Sequence, residues 1–215
     1  IKFLLKRKAR PFQLSKRRMI GYSIPTFLAT LGMIMLYSQD VVLVKHFFNS
    51  FEAGIYSSLS VLGKVIFFAS SAAGYVMFPV LAEKKEQQKK YTAVVLAGLV
   101  GVGVMSLGLT AVYFAFPSVV VHLLFGRAYG TAAPFLGIFG LFITFFTLSN
   151  LLTSIFLALG KTIVWIFTVT AAVAQLILIS YFHSNLSMVI FVNAGVSAAL
   201  FFLLLSAYVY INAKH

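Results

Sequence analysis

Four Asp/Glu and seventeen Lys/Arg are the charged side chains of this chain of 215 residues, and two of them, Asp40 and Lys64, fall inside apolar runs. Lys64 stands eleven residues into the run 53–81, about 16 Å along a helix rising about 1.5 Å per residue. A lysine near the centre of a bilayer costs about 2.5–3.5 kcal/mol on insertion scales, so it is expected to face a bundle interior or a wet cavity. There it offers a point charge to an anionic headgroup such as a phosphate. The competing reading is a lysine that snorkels to the interface or pairs with Asp40. Asp40, near the end of the run 20–44, is suited to pair with Lys45 or Lys64, or to bind a coupling proton or cation. Arg127 lies in Phe125-Gly126-Arg127-Ala128-Tyr129-Gly130. It is read as a guide for phosphate at an outer mouth or as a loop and headgroup anchor.

Uncharged polar residues inside apolar runs also need partners. Gln39, Asn150, Gln175 and Asn193 are candidates for interhelical hydrogen bonds, with Asn150 and Gln175 singled out as cavity liners and substrate contacts. Enzyme chemistry finds no foothold. Cysteine is absent, and His46, His122, His183 and His215 lack metal-ligand spacing and are expected in loops or at the chain end. Glu83 and Glu86 form the one close acidic pair, in a solvated connection. Gly101-Val102-Gly103 lacks the third glycine and the βαβ setting of a nucleotide fingerprint. The expectation is a protein that is not an enzyme and carries no cofactor and no metal.

The elements that must hold these residues are membrane helices. Hydrophobic residues make up 61% and charged residues 10% of the chain. A soluble domain is about 45–50% apolar and about 25% charged, so neither a water-covered globule nor a disordered chain fits. Six stretches satisfy the requirement of about 20 apolar residues: 20–44, 53–81, 91–116, 132–159, 162–182 and 187–211. Continuous rather than alternating apolarity argues against a β-barrel. The fold class expected is therefore all-α, a multi-pass bundle of six spans over 20–215. It is preceded by a basic juxtamembrane segment at 1–19 that meets anionic membrane lipids. Ala93, Ala97 and Gly101 form a small-residue stripe read as a helix-packing face. Pro25, Pro79 and Pro134 are read as kinks, helix starts or hinges near span ends.

Of the seventeen basic residues, 8 lie in residues 1–18. Placing the N-terminus inside puts fourteen Lys/Arg in inner segments and two, Lys45 and Arg127, in outer loops. Both ends are then expected to be cytoplasmic. The basic balance fits lipid headgroups rather than nucleic acid. The chain opens on Ile rather than Met, and an N-terminal portion is expected to precede it. A second six-span copy in front would be a parallel repeat about an axis along the membrane normal.

A basic linker leads into Ser23-Ile24-Pro25-Thr26-Phe27-Leu28, then Asp40-Val41-Val42-Leu43-Val44-Lys45-His46-Phe47 and Glu52-Ala53-Gly54-Ile55-Tyr56-Ser57. Leu62-Gly63-Lys64-Val65-Ile66, Met77-Phe78-Pro79-Val80 and Leu124-Phe125-Gly126-Arg127-Ala128-Tyr129 follow, with Ala132-Ala133-Pro134 after them. Over nearly its whole length the chain resembles the C-terminal half of a polysaccharide biosynthesis flippase of the O-antigen or teichoic-acid type. That group belongs to the multidrug/oligosaccharidyl-lipid/polysaccharide exporter superfamily. The resemblance implies one six-helix lobe of a MATE-like two-lobe transporter in a prokaryotic cytoplasmic membrane. Its cargo would be a lipid-diphosphate-linked oligosaccharide, turned from the inner to the outer leaflet by alternating access. Lys64 would suit the cationic cavity, and Asp40 a proton or sodium site. The partners implied are the N-terminal lobe of the same protein and a glycan polymerase or ligase. Two other functions compete. A cation or multidrug exporter calls for acids at mid-depth, and a non-transporting scaffold calls for Lys64 packed against Asp40 without a cavity.

Overall fold

The computed structural model describes residues 16–87 and 91–213, which form seven α-helices and one 3-10 turn. The order is α1 (Lys16–Phe47), α2 (Ser50–Glu86), α3 (Thr92–Ala115), α4 (Pro117–Phe125), the 3-10 turn Arg127–Ala132, α5 (Ala133–Ala158), α6 (Val164–Tyr181) and α7 (Leu186–Ala213). Six of the helices are long and apolar enough to cross a membrane, so the all-α expectation holds. The basic segment 1–19, but for its last four residues, lies outside the described residues, as do Lys89, Lys90, Lys214 and His215.

Helix starts are chemically marked. Asn49 caps α2, its Oδ1 accepting from the Glu52 amide at 2.9 Å while its Nδ2 donates to Glu52 Oε2 at 2.8 Å. Asn185 opens α7 in the same way, accepting from the Met188 amide at 2.8 Å. Pro134 sits in the first turn of α5, where its missing N–H costs nothing. Pro25 lies inside α1, which runs on through it. The connection between α3 and α5 differs from the sequence expectation. The sequence reads 117–131 as a connection with a short apolar stretch at 119–125, whereas residues 117–125 form α4, with the 3-10 turn after it. Pro117 begins α4, and its fixed φ is already helical. His46 therefore sits in the last turn of α1, and His122 inside α4, rather than in loops.

The bundle is built around α5, which packs against α2, α3 and α7, while α1 lies along α6. An aromatic file on α5 supplies bulk: Phe139, Phe142 and Phe146 are all buried. Gly63 of α2 brings the backbone against this file. A Cβ there would meet Phe139 Cε1 at 2.7 Å and Ile143 Cγ1 at 2.8 Å. Gly32 does the same between α1 and α6, where a Cβ would stand 2.8 Å from the Thr168 carbonyl carbon. Polar cross-links join the spans as well. Tyr113 OH donates to the Leu62 carbonyl at 2.8 Å, and the Thr110 and Thr144 hydroxyls bond at 2.9 Å.

The small-residue stripe of α3 is not the packing face expected of it. Ala93, Ala97 and Gly101 are exposed. α3 buries Val95, Gly98, Val102, Ser106, Thr110 and Tyr113 instead. Both sets follow helical spacing. The buried set wins because it carries the hydroxyls that must find partners away from water.

Candidate functional site

Three polar arrangements occupy the spans: one closed network and two open grooves. The closed network starts at Asp40, which is 1% exposed. Its Oδ2 accepts from Tyr56 OH at 2.6 Å and from Asn193 Nδ2 at 3.3 Å, and its Oδ1 accepts from the Val41 amide at 2.9 Å. Asn193 Nδ2 also donates to Tyr56 OH at 2.7 Å, and Asn193 Oδ1 accepts from Gln175 Nε2 at 2.6 Å. Gln175 Nε2 reaches the Leu36 carbonyl at 3.2 Å, and Gln175 Oε1 accepts from Gln39 Nε2 at 2.5 Å. Gln39 Nε2 donates in addition to the Ala172 carbonyl at 2.8 Å. One chain of hydrogen bonds thus joins α1, α2, α6 and α7. The groups holding the Asp40 carboxylate are all uncharged.

The first open groove lies between α1 and α2. Tyr37, Ser38, Val41, Val42, Ser57, Ser60, Val61 and Lys64 line a cavity of about 290 Å³. Lys64 is exposed. Its Nζ lies 5.7 Å from the centroid of the Tyr37 ring, within reach of a cation–π attraction. Lys64 is fourteen residues along α2, about 21 Å from the start of that helix. Helical spacing puts Ser57, Ser60 and Lys64 on one stripe of α2. The result is an ammonium with hydroxyls on the same wall, open to an incoming group. A phosphate accepts from the ammonium, whereas the Ser57 hydroxyl already donates to the Ala53 carbonyl at 2.7 Å.

The second groove lies between α2, α3 and α5. Ser71, Gly74, Val102, Thr147, Asn150, Leu151 and Ser154 line a cavity of about 310 Å³. No charged residue faces it among the described residues. An aromatic cluster stands between the two grooves. Tyr37 stacks on Phe146 at 5.2 Å and lies 5.3 Å from Phe67, and Phe67 lies 5.6 Å from Phe146.

These positions sort the residues singled out in the sequence. Lys64 is on a groove wall. Asp40 is not its ion-pair partner, because Tyr56, Asn193 and a backbone amide already satisfy the carboxylate. Asn150 lines a groove, but one separate from Lys64. Gln175, expected to line a cavity, is 0% exposed, and its amide is used up inside the closed network. Arg127 is exposed on the 3-10 turn and lines neither groove. Tyr56 is the network member that sequence reading missed. Its signal was a phenol inside an apolar span, which must find an acceptor when buried.

A family model described as polysaccharide biosynthesis protein matches residues 3–134. The matched stretch is more than half of the chain and holds Asp40, Lys64 and Arg127. No curated protein and no solved structure matches the chain.

Proposed function

The chain belongs to the polysaccharide biosynthesis protein family, and from that membership we propose that it moves a lipid-diphosphate-linked saccharide from the inner to the outer leaflet. The observation that carries this reading is Lys64, an exposed ammonium at membrane depth on a groove edged with hydroxyls. A bare lysine in that position is expensive unless something anionic is to meet it. The diphosphate of a lipid-linked precursor supplies that charge, and the lipid tail stays in the bilayer. The chain then acts as one lobe of a two-lobe transporter of MATE-like form, working by alternating access in a prokaryotic cytoplasmic membrane. Both ends of the segment face the cytoplasm in this reading, and Arg127 receives phosphate at the outer mouth. No bond is made or broken, so no catalytic residue is assigned.

Asp40 serves the coupling step. Its carboxylate is held by neutral donors from three helices, and a proton or sodium ion arriving there changes the charge at the junction of α1, α2 and α7. The scaffold alternative needs Lys64 and Asp40 in contact. Asp40 bonds elsewhere, which favours the transport reading.

The test is transport by the full-length protein reconstituted in vesicles, with a fluorescent polyprenyl-diphosphate saccharide as cargo. Lys64→Ala should insert normally and lose flipping. Normal flipping by a well-folded Lys64→Ala protein removes the role assigned to Lys64. Asp40→Asn should keep cargo binding and lose the response to an imposed proton or sodium gradient. An unchanged response removes Asp40 from coupling.

A further inference from the structure

We propose that the second groove, between α2, α3 and α5, is a subsite for one uncharged sugar ring of the membrane-borne cargo. The inference rests on the flipping reading and adds what that reading leaves open: where the saccharide, as opposed to the diphosphate, is held.

The lining carries the argument. Ser71 lines the groove and is 7% exposed, its Oγ buried beneath the wall with no hydrogen-bond partner. Asn150 is half-buried on the opposite wall, and no described residue hydrogen-bonds its amide. Ser154 adds a further hydroxyl and Thr147 another oxygen acceptor, its own proton being given to the Ile143 carbonyl at 2.7 Å. Unmet donors and acceptors at membrane depth are costly, so these groups call for a polar occupant. The occupant is uncharged, because no charged side chain among the described residues lines the groove. Leu151 and Val102 give the same cavity apolar walls. A sugar ring presents this mixture: hydroxyls around its rim and C–H groups on its faces. A volume of about 310 Å³ equals on the order of ten waters at about 30 Å³ each, enough for a ring with some water.

The placement agrees with the chemistry. Ser71 follows Lys64 by seven residues on α2, which is two helical turns, so both lie on one stripe about 10 Å apart. Phe67 stands between them on that stripe, in the aromatic cluster with Tyr37 and Phe146. A cargo whose diphosphate meets Lys64 therefore has its saccharide in position to extend along α2 past an aromatic surface into the neutral groove.

The experiment measures binding of two probes to the full-length protein in detergent: farnesyl diphosphate, and farnesyl diphosphate carrying one glucose, galactose or N-acetylglucosamine. Wild type should bind at least one of the sugar-bearing probes about fivefold or more tighter than the bare lipid, the worth of one or two added hydrogen bonds. Asn150→Leu and Ser154→Ala should each reduce that preference toward one and leave the affinity for farnesyl diphosphate unchanged. Lys64→Ala should weaken both probes. A wild-type preference of one overturns the subsite, and so does a preference that survives both Asn150→Leu and Ser154→Ala. Either result would mean that the groove holds water alone, with the flipping reading intact. Wild type that binds neither probe overturns the flipping reading and the subsite with it.

Discussion

The polar network around Asp40 and the groove around Lys64 share α1 and α2, yet they end differently. The network is closed: Tyr56, Gln175 and Asn193 are 0% exposed, and each has a partner on another helix. The groove is open: Lys64 is exposed, and its Nζ lies 5.7 Å from the centroid of the Tyr37 ring. Both regions hold polar side chains at membrane depth, where unsatisfied groups are costly. What separates them is who supplies the missing partner. In the first region other helices do. In the second the partner must come from outside the protein, and that makes it the candidate for cargo binding. The groove between α2, α3 and α5 belongs with the second kind, because Asn150 and Ser154 line it with no hydrogen-bond partner among the described residues.

Substitutions can set the two regions against each other. The largest expected effect is on transport: Lys64→Ala should lower flipping on the order of tenfold or more, the worth of a charge-assisted hydrogen bond, with an unchanged unfolding midpoint. A large drop in that midpoint would move Lys64 into the structural region. Asn193→Leu should do the reverse. It strips partners from Tyr56, Asp40 and Gln175, and should destabilise the protein by about 1–3 kcal/mol in detergent unfolding. The lower end applies if membrane helices find substitute partners. Gly32→Ala should cost about 1–3 kcal/mol by overpacking α1 against α6, since its Cβ would meet Thr168 backbone at 2.8 Å. Disulfide trapping between α1 and α2 would then show whether the Lys64 groove keeps its width. The smallest effect is diagnostic. A double-mutant cycle of Asp40→Asn with Lys64→Ala should give a stability coupling below about 0.5 kcal/mol, because the two side chains share no direct contact. A coupling well above that would join the two regions into one.

Much of this was legible before any coordinates. Continuous apolar runs of about 20 residues point to membrane helices, and six helices long and apolar enough to span are present among the described residues. Asn150 and Lys64 announced themselves as polar side chains in apolar surroundings. Other features were not legible. The stripe of Ala93, Ala97 and Gly101 has the spacing of a packing face but lies exposed, because small residues permit close approach without compelling it. Residues 117–131 read as a connection but contain α4, since nine residues are too short for a span signal.

By itself the sequence determined the class of protein, the number of spans and the depth of its charges. Composition and helical rise are local properties that need no partner to be read. Only the tertiary structure decided which polar residues satisfy one another. Gln175 and Asn150 look alike as lone amides in apolar spans, yet Gln175 meets Gln39, Leu36 and Asn193, while Asn150 faces a cavity. Hydrogen bonds act over about 3 Å, so their pairing depends on which helices lie side by side, and no spacing along the chain encodes that.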